Sequence, residues 1–206
     1  IGTFVLLVSI VGSGIAGQQY TNDQMVILVS HAVVIGLTLI FIIGIFANFS
    51  GAHFNPIVSI LFFLQKELSV KDLCLYISIQ ITAAILGTFF ANYIFGLSIV
   101  EISSNIRSGT NIYISEIFAS FGLLMVILLS KVGGKNIVAF NVGIYITAAI
   151  IFTSSASFAN PAVTIARVFT ESFAGINPST VIFFISCQVI GMFAAYLLYN
   201  QFFKSK

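Results

Sequence analysis

Six long apolar stretches run along the chain, at roughly 1–16, 26–48, 72–95, 112–130, 136–153 and 179–203, each bounded by short polar segments. A helix needs about 20 apolar residues to cross the hydrocarbon core of a bilayer. The pattern therefore predicts six membrane-spanning helices. The first stretch is short and opens without a Met or a charged flank, whereas a secretory signal needs a basic leading region. The chain is expected to begin inside its first spanning helix. Two shorter apolar pieces, 55–64 and 161–169, cannot cross, and both open with Asn-Pro. A Pro that starts a helix in such surroundings predicts a half-helix preceded by bare backbone. At membrane depth, bare backbone is tolerated only where it is buried in protein or lines a watery path.

Composition sharpens the class. Of 206 residues, 59% are apolar and 7% charged, and mean hydropathy is +1.11. A soluble domain carries about 25% charged residues, so the chain is an all-α integral membrane protein with the lipid bilayer as its solvent. The net charge of +2 comes with scattered Lys and Arg and no basic run, so nothing points to nucleic acid and no such partner is expected. Cys74 and Cys187 lie in apolar segments without metal-binding spacing, so they are expected to fill packing space, and no metal or cofactor is expected.

The chain also repeats. Thr3-Phe4-Val5-Leu6-Leu7-Val8 aligns with Ser120-Phe121-Gly122-Leu123-Leu124-Met125, Asn55-Pro56 with Asn160-Pro161, and Gln80 with Gln188. The offsets, 117, 105 and 108 residues, fit one duplication with drift in loop length. Three spans per half make the second half enter from the opposite side. The expectation is one transmembrane domain over 1–206, built as an inverted 3+3 repeat of approximately 1–100 and 112–206, whose half-helices meet near the midplane. Lys66, Lys71, Lys131, Lys135, Lys204 and Lys206 fall on one side of this topology and Arg107 and Arg167 toward the other. Positive residues mark the cytoplasmic side, so both termini are expected to be cytoplasmic.

The two boxes carry the chemistry. Pro56 and Pro161 occupy a first helical position, where no backbone donor is lost. Asn55 and Asn160 can cap their half-helices and still present an amide N–H to a central path. Each half-helix also turns its positive dipole end inward, which disfavours cations and breaks a proton wire. The stretches Gly51 to Phe54 and Ser157 to Ala159, the latter with Phe158 between, offer backbone carbonyls along that path. Asn177-Pro178, before the sixth span, is the ordinary capping use of the same pair.

Six spans, an inverted repeat and Gly51-Ala52-His53-Phe54-Asn55-Pro56-Ile57 matched by Ser157-Phe158-Ala159-Asn160-Pro161-Ala162 resemble the major intrinsic proteins, the aquaporins and aquaglyceroporins, over essentially the whole chain. The resemblance implies a homotetramer with one pore per subunit. It also implies a passive channel for water and small neutral solutes. The second box departs from the usual pattern: most members place Arg directly after Asn-Pro-Ala, and this chain has Val163. Matching the neighbouring helices puts Ile35, Ala148 and Ser157 at the other three filter positions. Such a ring is wide and mostly apolar, suited to glycerol- or urea-sized solutes or neutral metalloid hydroxides such as arsenous acid. It resembles a bacterial branch, associated with arsenic resistance, that also reads Asn-Pro-Ala-Val. Thr164 stands where glycerol-type members usually have Asp, which argues against a dedicated glycerol facilitator.

Among the other polar residues, Arg167 and His31 have two readings each. Arg167, one turn beyond Val163, either reaches the vestibule as a filter substitute or pairs with Glu171 or Glu101. His31, one turn from Ile35, either faces the vestibule or serves capping and packing. Glu116 resembles the family's buried carboxylate that braces a pore loop, a use consistent with the cost of an unsatisfied intramembrane charge. His53 lines the path through its carbonyl and ring, and Gln80 and Gln188 match glutamines that hold the loops. No pairing of carboxylates, Cys-His or Ser-His suggests an enzyme. A water-selective pore is the alternative, and an ion-coupled secondary transporter a more distant one, since broken helices serve it too.

Overall fold

The structure is a computed structural model and describes residues 1–203. Eight helices follow one another: α1 Gly2–Tyr20, α2 Gln24–Ser50, α3 Pro56–Leu64, α4 Val70–Ile94, α5 Thr110–Ser130, α6 Lys135–Phe152, α7 Pro161–Ala166 and α8 Pro178–Phe202. Six of them are long and apolar enough to cross a membrane, and α3 and α7 are the half-helices. The second half-helix is shorter than the 161–169 expected, because the chain tightens into a 3-10 turn over Arg167–Phe169.

Local chemistry sets the ends. Asp23 caps α2 by accepting from the N–H groups of Met25 and Val26, Ser69 caps α4 through Asp72 N–H, and Asn177 caps α8 ahead of Pro178. Gly51 stops α2 at φ +69°, a left-handed conformation that glycine adopts without a Cβ clash.

Between helices the driving force in lipid is close packing. α1 packs on α4, α5 on α8 and α2 on α6. At all three crossings a glycine lets backbones touch: a Cβ on Gly87 would meet Phe4 O at 2.6 Å, one on Gly191 would meet Phe121 N at 2.9 Å, and one on Gly143 would meet Gly36 O at 2.6 Å. Large apolar side chains such as Leu37, Phe41, Ile144, Ile182 and Leu197 point outward and stay exposed, as expected of a lipid-facing surface. Cys187 is buried, in line with a packing role, but Cys74 is exposed on α4. An apolar outer face accepts a thiol as readily as a core does.

Lys131 bonds Gln65 and Glu67 in the α3–α4 connection, and Lys135 bonds Asn48 at the end of α2. These contacts define a lysine end of the bundle. Arg107 and Arg167 reach the α7–α8 loop at the other, arginine end. Lys204 and Lys206 lie outside the described residues.

Candidate functional site

A narrow cavity of about 110 Å³ runs through the bundle between the two ends. One water needs about 10–15 Å³ of such space, so a file of small molecules fits and a bulky ligand does not. Rows spaced by four residues, hence on one helix face, form its walls: His31, Ile35, Leu39 and Ile43 on α2, and Val138, Val142, Ile146 and Ile150 on α6. Leu6 and Ile10 on α1 and Leu123 and Ile127 on α5 complete it, at positions 117 residues apart.

The two boxes meet in the middle. Asn55 Oδ1 accepts from Ile57 N–H, and Asn160 Oδ1 accepts from Ala162 and Val163 N–H, so each caps the helix that Pro56 or Pro161 begins. Their amides cross over: Asn55 Nδ2 donates to Ala159 O at 2.7 Å and Asn160 Nδ2 to Phe54 O at 3.0 Å. One N–H of each amide is thus held by the opposite loop, which leaves the second for the cavity that both asparagines line. Ile57 and Ala162 are buried behind.

Before each Asn non-glycine residues enter the left-handed region, Ala52 (φ +51°) and Phe54 (φ +49°) in the first half and Ala156 (+56°), Ser157 (+44°) and Ala159 (+45°) in the second. Such residues cost about 1–3 kcal/mol each unless the surroundings enforce them. In the second half the enforcement is visible. Glu116, fully buried, accepts from Ala159 N–H at 2.6 Å, Phe158 N–H at 3.3 Å and Gln188 Nε2 at 2.8 Å. Gln188 also donates to Thr164 Oγ1 at 2.8 Å, and Gln80 to Ser59 Oγ at 3.0 Å. Ser59 and Thr164 each stand four residues past their Asn, so both glutamines grip the same point of their half-helix. His53 sits against Ser59 (Nδ1 to Oγ 3.1 Å), its ring 4.5 Å from that of Phe62.

Toward the arginine end the wall is Ile35, Ile146, Ile150 and Val163, with His31, Ser157 and Arg167. Ala148 is not among them: it lies exposed on the outside of α6, and Ile146 and Ile150 present the cavity face. The correction has a helical cause, since a shift of two residues turns a side chain through about half a circle. His31 is buried, with Nδ1 2.8 Å from Ser13 Oγ and its ring edge-on to Phe173. Arg167 is buried too, lies with its guanidinium carbon 3.5 Å from the centre of the Phe158 ring, and donates from Nε to Ala174 O. It pairs with neither Glu171 nor Glu101: Glu171 accepts instead from Ser104 N–H and hydroxyl. Among the described residues the one ion pair is Lys131–Glu67, at 2.7 Å.

Sequence reasoning passed over Arg107 as anything but a marker of sidedness. It donates from Nε to Gly175 O at 3.0 Å and from Nη2 to Phe173 O at 2.8 Å. Backbone acceptors carry no sequence signal, so only its isolation in an otherwise uncharged stretch, Ile102 to Gly109, marked it out.

Comparisons with known proteins agree with this geometry. The family model described as major intrinsic protein matches residues 1–157. The aquaglyceroporin AqpS of Rhizobium meliloti (strain 1021) is 39% identical over 198 residues, covering 96% of this chain and 85% of that protein. Nodulin-26 of Glycine max is 27% identical over 129 residues, 62% of this chain and 47% of its own length. Among solved structures, the X-ray structure of the aquaglyceroporin from Plasmodium falciparum superposes with a TM-score of 0.73 at 22% identity, over 99% of this chain and 93% of that one, a likeness of fold. The chain belongs to the major intrinsic protein family.

Proposed function

We propose that the chain forms a passive channel for water and small uncharged solutes of glycerol or urea size, with neutral metalloid hydroxides such as arsenous acid in the same class. The observation that carries this reading is the wall at the arginine end. Ile35, Ile146, Ile150 and Val163 offer apolar surface, while Arg167 is drawn against Phe158 and Ala174 O. Its narrow, mostly apolar bore suits solutes that shed little hydration on entry, and the two half-helix ends and the Arg167 guanidinium oppose cations. The chain is a channel and not an enzyme.

The filter in this reading consists of Ile35, Ile150, Ser157 and Val163, with Arg167 and His31 as its polar side. The loops Gly51 to Phe54 and Ser157 to Ala159 are held by Glu116, Gln80 and Gln188. The lysine end faces the cytoplasm by the positive-inside tendency, so both termini are cytoplasmic and the membrane is the plasma or inner membrane. A homotetramer with one pore per subunit accompanies the family assignment.

Stopped-flow light scattering on proteoliposomes tests the reading, with water, glycerol and arsenous acid compared and Val163→Arg alongside. The wild type should pass the larger solutes, and the added guanidinium should block them while sparing water. Water as the sole permeant of the wild type would favour the second reading, a water-selective pore narrowed by Arg167 and His31, both of which line the cavity.

A further inference from the structure

Two arginines at the arginine end share one short run of backbone. Successive carbonyls of the α7–α8 loop go to alternate partners: Phe173 O and Gly175 O to Arg107, and Ala174 O, between them, to Arg167. Among the described residues this is the one hydrogen bond that holds the Arg167 guanidinium, whose other support is the face of Phe158. The Arg107 guanidinium carbon lies 5.2 Å from the centre of the same ring. Among the described residues neither arginine has a carboxylate partner, and Glu171 accepts from Ser104 instead. The pose of Arg167 therefore depends on where one carbonyl points.

Backbone bonds tie the loop on the far side of that carbonyl, through Gly175 N–H to Ser172 O, Ile176 N–H to Arg167 O and Asn177 N–H to Asn105 O. The nearest side-chain contacts before it come from two other residues. Asn105 Nδ2 holds Ser172 O at 2.7 Å, and Gln18 Oε1 accepts from Phe173 N–H at 2.7 Å. From Phe173 O to Gly175 O the side-chain support is the Arg107 fork. Planar guanidinium geometry makes two such bonds at once, which a lysine ammonium on a flexible stem does not reproduce. Phe173 also meets the His31 ring edge-on, so the same fork backs the second polar wall residue.

We propose that Arg107, outside the bore, is a specificity-determining positioning residue that fixes Arg167 at the constriction by holding the carbonyls on both sides of Ala174. The inference rests on the reading of Arg167 as part of the filter. Its signature is coupling. Removing Arg107 matters to selectivity only while Arg167 is there to be misplaced.

The test is the glycerol-to-water permeability ratio of proteoliposomes, in which the amount of folded channel cancels. Arg167→Ala should shift this ratio. Arg107→Ala should shift it in the same direction by about threefold or more, the lower range for coupled neighbours, and should add nothing in the Arg167→Ala background. Arg107→Lys, which keeps the charge and loses the fork, should shift the ratio as Arg107→Ala does, and it decides the matter if the alanine variant does not fold. A wild-type ratio in folded Arg107→Lys, or an undiminished Arg107 effect without Arg167, overturns the proposal. A wild-type ratio in Arg167→Ala overturns the underlying filter reading as well, so the two failures are told apart.

Discussion

Glu116 gives the sharpest prediction, because its surroundings are wholly specified. Three donors converge on its carboxylate inside the membrane: two backbone N–H groups of the strained loop and the amide of Gln188. In Glu116→Gln the shape is kept, but one acceptor oxygen becomes an NH2. With the amide oxygen in the Oε1 place, which Ala159 N–H and Gln188 share, the new NH2 faces Phe158 N–H and both buried donors are left without an acceptor. An unsatisfied buried polar group costs about 1–3 kcal/mol, so a loss of about 3 kcal/mol is expected. The left-handed residues Ser157 and Ala159 then lose the contact that enforces them.

For a chain of this length each kcal/mol moves the melting temperature by about 2–4 °C, so about 3 kcal/mol gives a drop of about 6–12 °C. Circular dichroism of detergent-solubilised protein reads the melt. The perturbation should also reach the pore, since Ala159 O is the acceptor of Asn55 Nδ2. Glu116→Gln should therefore lower water permeability per folded channel. Gln188→Leu removes one of the three donors, so the double variant should be less destabilised than the sum of the singles. A melt within about 2 °C of wild type, together with unchanged permeability, would refute the bracing role.

Two further outcomes test separate parts of the fold. Gly191→Ala places a methyl group against Ile117 O and Phe121 N, backbone that cannot give way as a side-chain end can. It should cost about 1–3 kcal/mol by prising α8 from α5, read as a lower melting temperature. At the arginine-end surface, the Ser104 hydroxyl and N–H hold the Glu171 carboxyl below its ordinary value. A depressed carboxylate stabilises the fold above its unfolded value of about 4.3 and loses that contribution as pH falls through the folded value. The melting temperatures of wild type and Glu171→Gln should differ at pH 7 and converge as the medium is acidified below that range; a gap independent of pH would contradict the assignment.

How much of this was legible in the sequence depended on the kind of signal. The spans and both half-helices were readable, since length and Asn-Pro placement carry them. The bracing set was readable as residue types, with Glu116, Gln80 and Gln188 all meeting loops or half-helices. The rotational setting of α6 was not. A lipid-embedded helix is apolar all round, so no amphipathic stripe tells which of Ile146, Ala148 and Ile150 faces the bore. The early end of α7 was hidden for another reason: its last turn tightens where Arg167 reaches for Ala174 O. That contact and the Arg107 fork both end on backbone, which every sequence supplies.

The same duplication that makes the boxes alike shows where they part. Val58 and Val163 both line the bore three residues past their Asn, and Ser59 and Thr164 both receive a glutamine at four. At seven the halves diverge into Phe62 and Arg167, both on the cavity wall. Each residue belongs to a cation–ring pair, but the pairs are reversed. At the lysine end the Phe62 ring lines the bore, and Lys131 stands 4.1 Å from its centre with its charge taken by Glu67. At the arginine end the cation itself lines the bore, backed by a ring, with no carboxylate to neutralise it. A ring offers a passing solute surface without strong donors, whereas a guanidinium offers donors and a field that falls off slowly in a low-dielectric wall. In the proposed reading, discrimination by charge is therefore concentrated at the arginine end, whereas the opposite mouth presents the Phe62 and His53 rings.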